Sequence, residues 1–214
     1  MKNPYDDLRT MTASEICQGL GAQAVLFVGL GIGLWASSGR YVADFLSVSF
    51  REIGLGIGLA AALILVAGGL FRVFPDLAER MIRLQARNFA FLANGLPFPV
   101  IIFISICAGV GEEAFFRAGL QTLISDYAPL PVAIVGASFL FMLIHFAKPL
   151  IAAVIFVIGA LFGVAYWWTE SLLAVMIGHA LYDVYAFWRL EAEMRSLGLF
   201  DEIEEPSANC AAEA

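Results

Sequence analysis

Charged residues punctuate this chain at long intervals, and the runs between them are almost wholly apolar. Charge-free stretches lie between Glu15 and Arg40, Glu52 and Arg72, Arg87 and Glu112, Asp126 and Lys148, and Lys148 and Glu170. A last apolar run, from Ser171 to about Arg189, is interrupted by His179 and Asp183. Crossing a bilayer takes about 20 mainly apolar helical residues at 1.5 Å each. The pattern therefore predicts six spans, at about 18–38, 53–72, 91–124, 130–147, 149–168 and 171–189. The third is too long for one straight crossing and is expected to tilt, to kink near Pro97 and Pro99, or to carry a polar break. The first does not read as a cleaved signal peptide: it follows the mixed charges Asp6, Asp7, Arg9 and Glu15 and exceeds an ordinary apolar signal core.

Between the second and third spans the pattern changes. Arg80, Arg83 and Arg87 recur at helical spacing, with Leu77, Met81 and Leu84 on another face, so Asp76 to Phe91 predicts an interfacial amphipathic helix. A basic loop helix that simply obeys topology fits the same residues. Small residues recur in the first two spans, as Gly29-Leu-Gly31-Ile-Gly33 and Gly54-Leu-Gly56-Ile-Gly58. Neither follows a strand, so close helix packing explains them better than phosphate binding.

Composition adds exclusions. The chain has 214 residues, 61% hydrophobic and 14% charged, against about a quarter charged in a soluble domain. A net charge of -7 gives no footprint for phosphate backbones, so no nucleic-acid partner is expected. Cys17, Cys107 and Cys210 are far apart and form neither a zinc motif nor a disulfide framework. The fold class is all-α, a polytopic membrane bundle of about six transmembrane helices plus the amphipathic helix. Its expected partition is 1–90 for the N-terminal spans and amphipathic helix, 91–190 for the core, and 191–214 for an acidic, solvated, partly disordered tail. An inside N-terminus places Lys2, Arg9, Arg72, Arg80, Arg83, Arg87, Lys148, Arg189 and Arg195 in the cytoplasm, with Arg40, Arg51 and Arg117 elsewhere. That asymmetry sets both termini inside.

Ionisable side chains within spans are expensive and face a cavity or each other. Here they cluster: Glu112, Glu113 and Arg117 in the third span, His145 near the end of the fourth, His179 and Asp183 in the sixth. The two histidines are the whole complement of the chain. Glu113 and Arg117, four apart with the acid first, suit an ion pair that supports the helix. Glu112 diverges from Glu113 by about 100° and so lacks that partner, which suits a general base. His179 and Asp183 are also four apart, so the carboxylate can orient the imidazole. Phe141 shares a face with His145 and is expected to pack there. Counted from the span ends, Glu112, His145 and His179 all fall in the inner half of the bilayer or near its middle, where one buried site can form.

Glu112-Glu113-Ala-Phe-Phe-Arg117 has the form EExxxR, Phe141-Met-Leu-Ile-His145 the form FxxxH, and His179-Ala-Leu-Tyr-Asp183 the form HxxxN/D. In this order the motifs resemble the signature of the CAAX protease and bacteriocin-processing (CPBP) intramembrane proteases, which include the type II CAAX prenyl endopeptidases. The resemblance covers about residues 98 to 190. It implies an endopeptidase in which Glu112, helped by His145, activates a water, and His179 with position 183 stabilises the oxyanion; Glu113 and Arg117 would be structural. Asp183 stands where many members have Asn. Members are described both as glutamic and as metalloproteases. There is no HExxH, yet His145, His179 and either Glu112 or Asp183 could supply three ligands to a divalent metal such as zinc. That arrangement would consume the base and oxyanion donor, so metal-independent water activation is favoured. The implied partners are a peptide or membrane-protein substrate, prenylated among eukaryotic relatives, and the lipid bilayer. A bacterial plasma membrane is the expected location. The alternatives are a small proton-coupled transporter and a catalytically silent scaffold of the same fold.

Overall fold

Helix boundaries in the computed structural model, which describes residues 8 and 10–204, follow local capping chemistry. Lys2, Arg9 and residues 205–214, with Cys210, lie outside the described residues. Helix α1 (Ala13–Ser37) opens on a reciprocal cap: Glu15 N–H donates to Thr12 Oγ1 at 3.2 Å, and Thr12 N–H donates to Glu15 Oε2 at 2.7 Å. Helix α2 (Phe50–Val73) is capped by Ser49, and Pro75 begins α3 (Pro75–Gln85). Then come α4 (Phe98–Ser125), α5 (Leu130–Leu143), α6 (Pro149–Thr169), α7 (Leu172–Ser196) and α8 (Leu199–Glu204). Among the described residues there is no strand.

Four helices, α1, α2, α4 and α6, are long and apolar enough to cross a membrane. The other two expected spans differ from them in kind. α5 has 14 residues, roughly 21 Å of rise, and its chain turns away after Leu143 rather than continuing to 147. α7 has 25 residues but mixes ionisable with apolar positions, and it lies against α2 and α4. Exposed Val25, Leu26, Leu65, Val66, Val157 and Trp168 give the bundle the apolar exterior that a bilayer solvates.

The long third span resolves into three parts. Residues Ala90–Asn94 form a short 3₁₀ turn, which Gly95 ends at φ 68°. Pro97 and Pro99 then start a new helix at Phe98 rather than kinking an existing one. Within α4, residues Ala114–Gln121 are wound as a π-helix. Such segments are rare and concentrate at functional sites. Thr122 closes it: both its N–H and its Oγ1 (3.0 Å) donate to the Arg117 carbonyl.

Of the recurrent glycines, one per span sits at a helix crossing. A Cβ on Gly31 would fall 2.3 Å from the Ala114 carbonyl oxygen, and one on Gly56 would fall 2.8 Å from the Ala174 carbonyl oxygen. Gly29, Gly33, Gly54 and Gly58 meet nothing within 4 Å. These contacts pack α1 onto α4 and α2 onto α7, so the N-terminal helices bear directly on the core. Gly109 makes the α4–α7 crossing: its Cβ would lie 2.7 Å from Ala180 N and 2.8 Å from Met176 O, which bracket His179. Gly109→Ala should therefore push α7 back. The peptide cleavage that the motifs imply should then fall about 10²-fold, the scale of a 1 Å misplacement at reacting groups. The check is kinetics beside a melting curve, with Gly29→Ala as the silent control.

α3 forms at the amphipathic segment, but protein covers its most buried face. Ile82 and Ala86 pack with Leu92, Met194, Leu199 and Phe200. That cluster also takes in the first part of the acidic tail. α7 continues to Ser196 and α8 follows, because acids alternate with apolar residues and with Arg189 and Arg195. Arg195 reaches Glu191 at 2.9 Å and Arg189 reaches Glu193 at 2.5 Å.

At the far end of the bundle, Arg40 grips Asp126 with two bonds of 2.7 and 2.6 Å and lies 5.4 Å from the Trp35 ring. The clamp ties the α1–α2 loop to the α4–α5 loop. The Arg40 guanidinium, by hydrogen bonding, holds the Asp126 carboxyl below the usual carboxylate range. A depressed carboxyl stabilises above its unfolded pKa and loses that contribution as pH falls through its folded one. Asp126→Asn should thus cost at most about 1 kcal/mol near neutrality, since both partners are about 30% exposed. The deficit should vanish in acid, measured as the melting-temperature difference across pH.

Candidate active site

The polar groups that the sequence places in separate spans converge on one imidazole. His179 on α7 donates from Nδ1 to Glu113 Oε1 at 2.8 Å, joining residues 66 positions apart. Its Nε2 lies 3.5 Å from Asp183 Oδ2 and 3.9 Å from Glu112 Oε2. Neighbours on a helix diverge, yet Glu112 and Glu113 both face this ring, because it enters between them and offers each a different nitrogen. Phe162 on α6 stacks on the same ring, with centroids 4.9 Å apart and planes at 23°.

Behind His179 the site is dry. Glu113 and Arg117 have no solvent exposure, and Arg117 Nε sits 3.0 Å from Glu113 Oε2, a charge contact whose angle falls short of a hydrogen bond. Among the described residues the terminal nitrogens of Arg117 have no hydrogen-bond partner; the guanidinium lies 5.0 Å over the Phe141 ring. That stacking suits a weakly hydrated, delocalised cation in a place where an ammonium would fit badly. The result is a chain of charge from Arg117 through Glu113 to His179. Glu113 was expected only to support its helix; the structure adds a second contact, to the imidazole.

His145 lies beyond the end of α5, in the turn that leads to Pro149. Its backbone N–H bonds to Met142 O, leaving the Phe141 carbonyl to accept from His145 Nδ1 at 2.7 Å. Nδ1 therefore carries a proton, since a carbonyl oxygen can only accept. The Phe141 ring lies 4.7 Å from the His145 ring and 6.5 Å from the His179 ring, so the two imidazoles are at most about 11 Å apart. Glu112 and His179 are 8% and 6% exposed and Asp183 is part-buried, so the cluster is largely shielded from water but not sealed.

Among the described residues no group of three or more His, Cys, Asp or Glu side chains is drawn together closely enough, as it stands, to hold a metal ion. Two contributors left no mark on the spacing. Phe162 belongs to an unremarkable apolar run, and the Glu113–His179 bond joins different helices, which i,i+4 arithmetic cannot reveal.

Comparison with known proteins agrees with the motif positions. Residues 94–185 match the family described as type II CAAX prenyl endopeptidase Rce1-like. The uncharacterized protein YpbD of Bacillus subtilis (strain 168) is 28% identical over 136 residues, which cover 62% of this chain and 66% of that protein. No solved structure matches. The matched segment holds α4 to α6 and the part of α7 that bears His179 and Asp183.

Proposed function

We propose that this chain, whose residues 94–185 match the Rce1-like endopeptidase family, is an intramembrane endopeptidase that attacks a peptide carbonyl with a water activated by Glu112. What supports this most is the His179 ring held between Glu113 on Nδ1 and Glu112 and Asp183 on Nε2. The 3.9 Å between Glu112 Oε2 and His179 Nε2 is too long for a direct hydrogen bond, so the imidazole does not occupy the carboxylate that is to take a proton from water.

Each step has a residue. The Glu112 carboxylate takes one proton of the water, and the bare Nε2 of His145 accepts a hydrogen bond from the other. The oxygen adds to the carbonyl carbon, and the electron pair moves onto the carbonyl oxygen. Nε2–H of His179, held in place from Nδ1 by Glu113, donates to that oxyanion. Such a donor supplies its stabilisation without reorganising, since the ring is already stacked and bonded. As the tetrahedral species collapses, the C–N bond breaks and Glu112 hands its proton to the leaving amine. Asp183 accepts near Nε2 and limits the ring's rotation. Arg117 holds Glu113 in place from its other oxygen.

His179→Ala should lower peptide cleavage about 10²- to 10³-fold, the usual loss when an oxyanion donor is removed. The check uses purified protein in proteoliposomes with a library of membrane peptides, scored by mass spectrometry, with proton flux followed in parallel. Proton flux that depends on His179, without any cleavage, would instead indicate a transporter.

A further inference from the structure

The residue after His145 has a backbone that its side chain disfavours. Phe146 lies at φ 44°, in the left-handed region, where a bulky L-residue is an outlier; among the described residues only Glu170, the αL cap of α6, is a second non-glycine case. Its ring explains nothing of this, being 93% exposed along an apolar groove with Phe116 and Leu140. The strain is held by what the backbone accomplishes one residue earlier.

In an uninterrupted α-helix the His145 N–H would bond to the Phe141 carbonyl. Here it bonds to Met142 O at 3.2 Å, and Phe146 N–H bonds to Leu143 O at 3.3 Å, so the last turn tightens and the chain departs through a left-handed residue. The Phe141 carbonyl is thereby released, and the His145 side chain takes it through Nδ1. An imidazole free in water prefers its proton on Nε2, so this arrangement reverses the ordinary tautomer. It turns the nitrogen that remains available into an acceptor.

We infer that Phe146 is a positioning residue: its left-handed backbone frees the Phe141 carbonyl, which fixes His145 with Nδ1–H and a bare Nε2. The inference rests on the proposed role of His145 for its consequence in catalysis, but its test needs no substrate. The chain has two histidines, so imidazole ¹⁵N spectra of the full-length protein in micelles contain two rings, assigned with His179→Gln. Phe146→Gly and Phe146→Asn tolerate the left-handed region and should keep the protonated Nδ1 of His145. Phe146→Val disfavours it and should shift His145 mainly to the Nε2–H form, with the His179 signals unchanged and turnover down about tenfold or more. If the valine variant does not fold, Phe146→Ala should show a partial shift in the same direction. A His145 signal that ignores valine or alanine, or one lost in the glycine and asparagine variants, overturns the inference. If peptidase activity is never found, the tautomer result still stands by itself.

Discussion

Glu112→Gln should abolish most turnover while leaving the protein folded and its substrate affinity nearly unchanged. The substitution keeps shape and one acceptor but cannot take a proton from water. Loss of a general base costs about 10²- to 10⁴-fold, or roughly 3–5 kcal/mol of barrier at 1.36 kcal/mol per decade. The fall should lie in kcat rather than KM, because the missing interaction develops in the transition state. Stability should hold or rise, since the carboxylate is 8% exposed and has no cationic partner on its own helix. Single-turnover kinetics beside thermal unfolding separates these effects. A variant that folds well and cleaves at the wild-type rate would remove Glu112 from the chemistry.

Glu113 should respond differently, because it answers to two partners. Glu113→Leu strands the Arg117 guanidinium, which has no exposure and, among the described residues, no other carboxylate in a salt bridge with it. Breaking one side of a buried pair costs about 3–5 kcal/mol, enough to lower the melting temperature by several degrees. Replacing both members with apolar residues of similar volume is often neutral or stabilising, so Glu113→Leu/Arg117→Met should recover the stability. It should not recover turnover, because His179 Nδ1 still lacks its acceptor. Recovery of stability together with full activity would reduce Glu113 to a support for its own helix. Recovery of neither would mean that the pair does more for the fold than its charges explain.

Much of this arrangement was legible before any coordinates. Long apolar runs between sparse charges gave the helices, because a bilayer leaves few other ways to satisfy a backbone. The misplaced charges marked the candidate site: Glu112, Glu113 and Asp183 gather on His179, whereas His145 stands on the other side of the Phe141 ring. What stayed hidden depends on the third dimension or on single backbone angles. That the Glu113 carboxylate bridges Arg117 and His179 follows from how α4 and α7 cross at Gly109, not from any spacing within α4. The π winding of 114–121 faces Gly31 of α1, where the absence of a Cβ lets the Ala114 carbonyl come close. The end of α5 at Leu143 follows no proline or glycine; it is a left-handed phenylalanine, which no propensity scale would place there. The tail reads as acidic by count, but Met194, Leu199 and Phe200 recur between the acids and bury against α3.

Cleavage in heavy-oxygen water, by wild type and Glu112→Gln side by side in proteoliposomes, addresses the chemistry at its source. Wild type should place one heavy oxygen in the new carboxyl terminus of each N-terminal fragment, and the variant should yield almost no labelled product over the same interval. Equal labelled product from both proteins would contradict the assignment of Glu112 as the group that activates water.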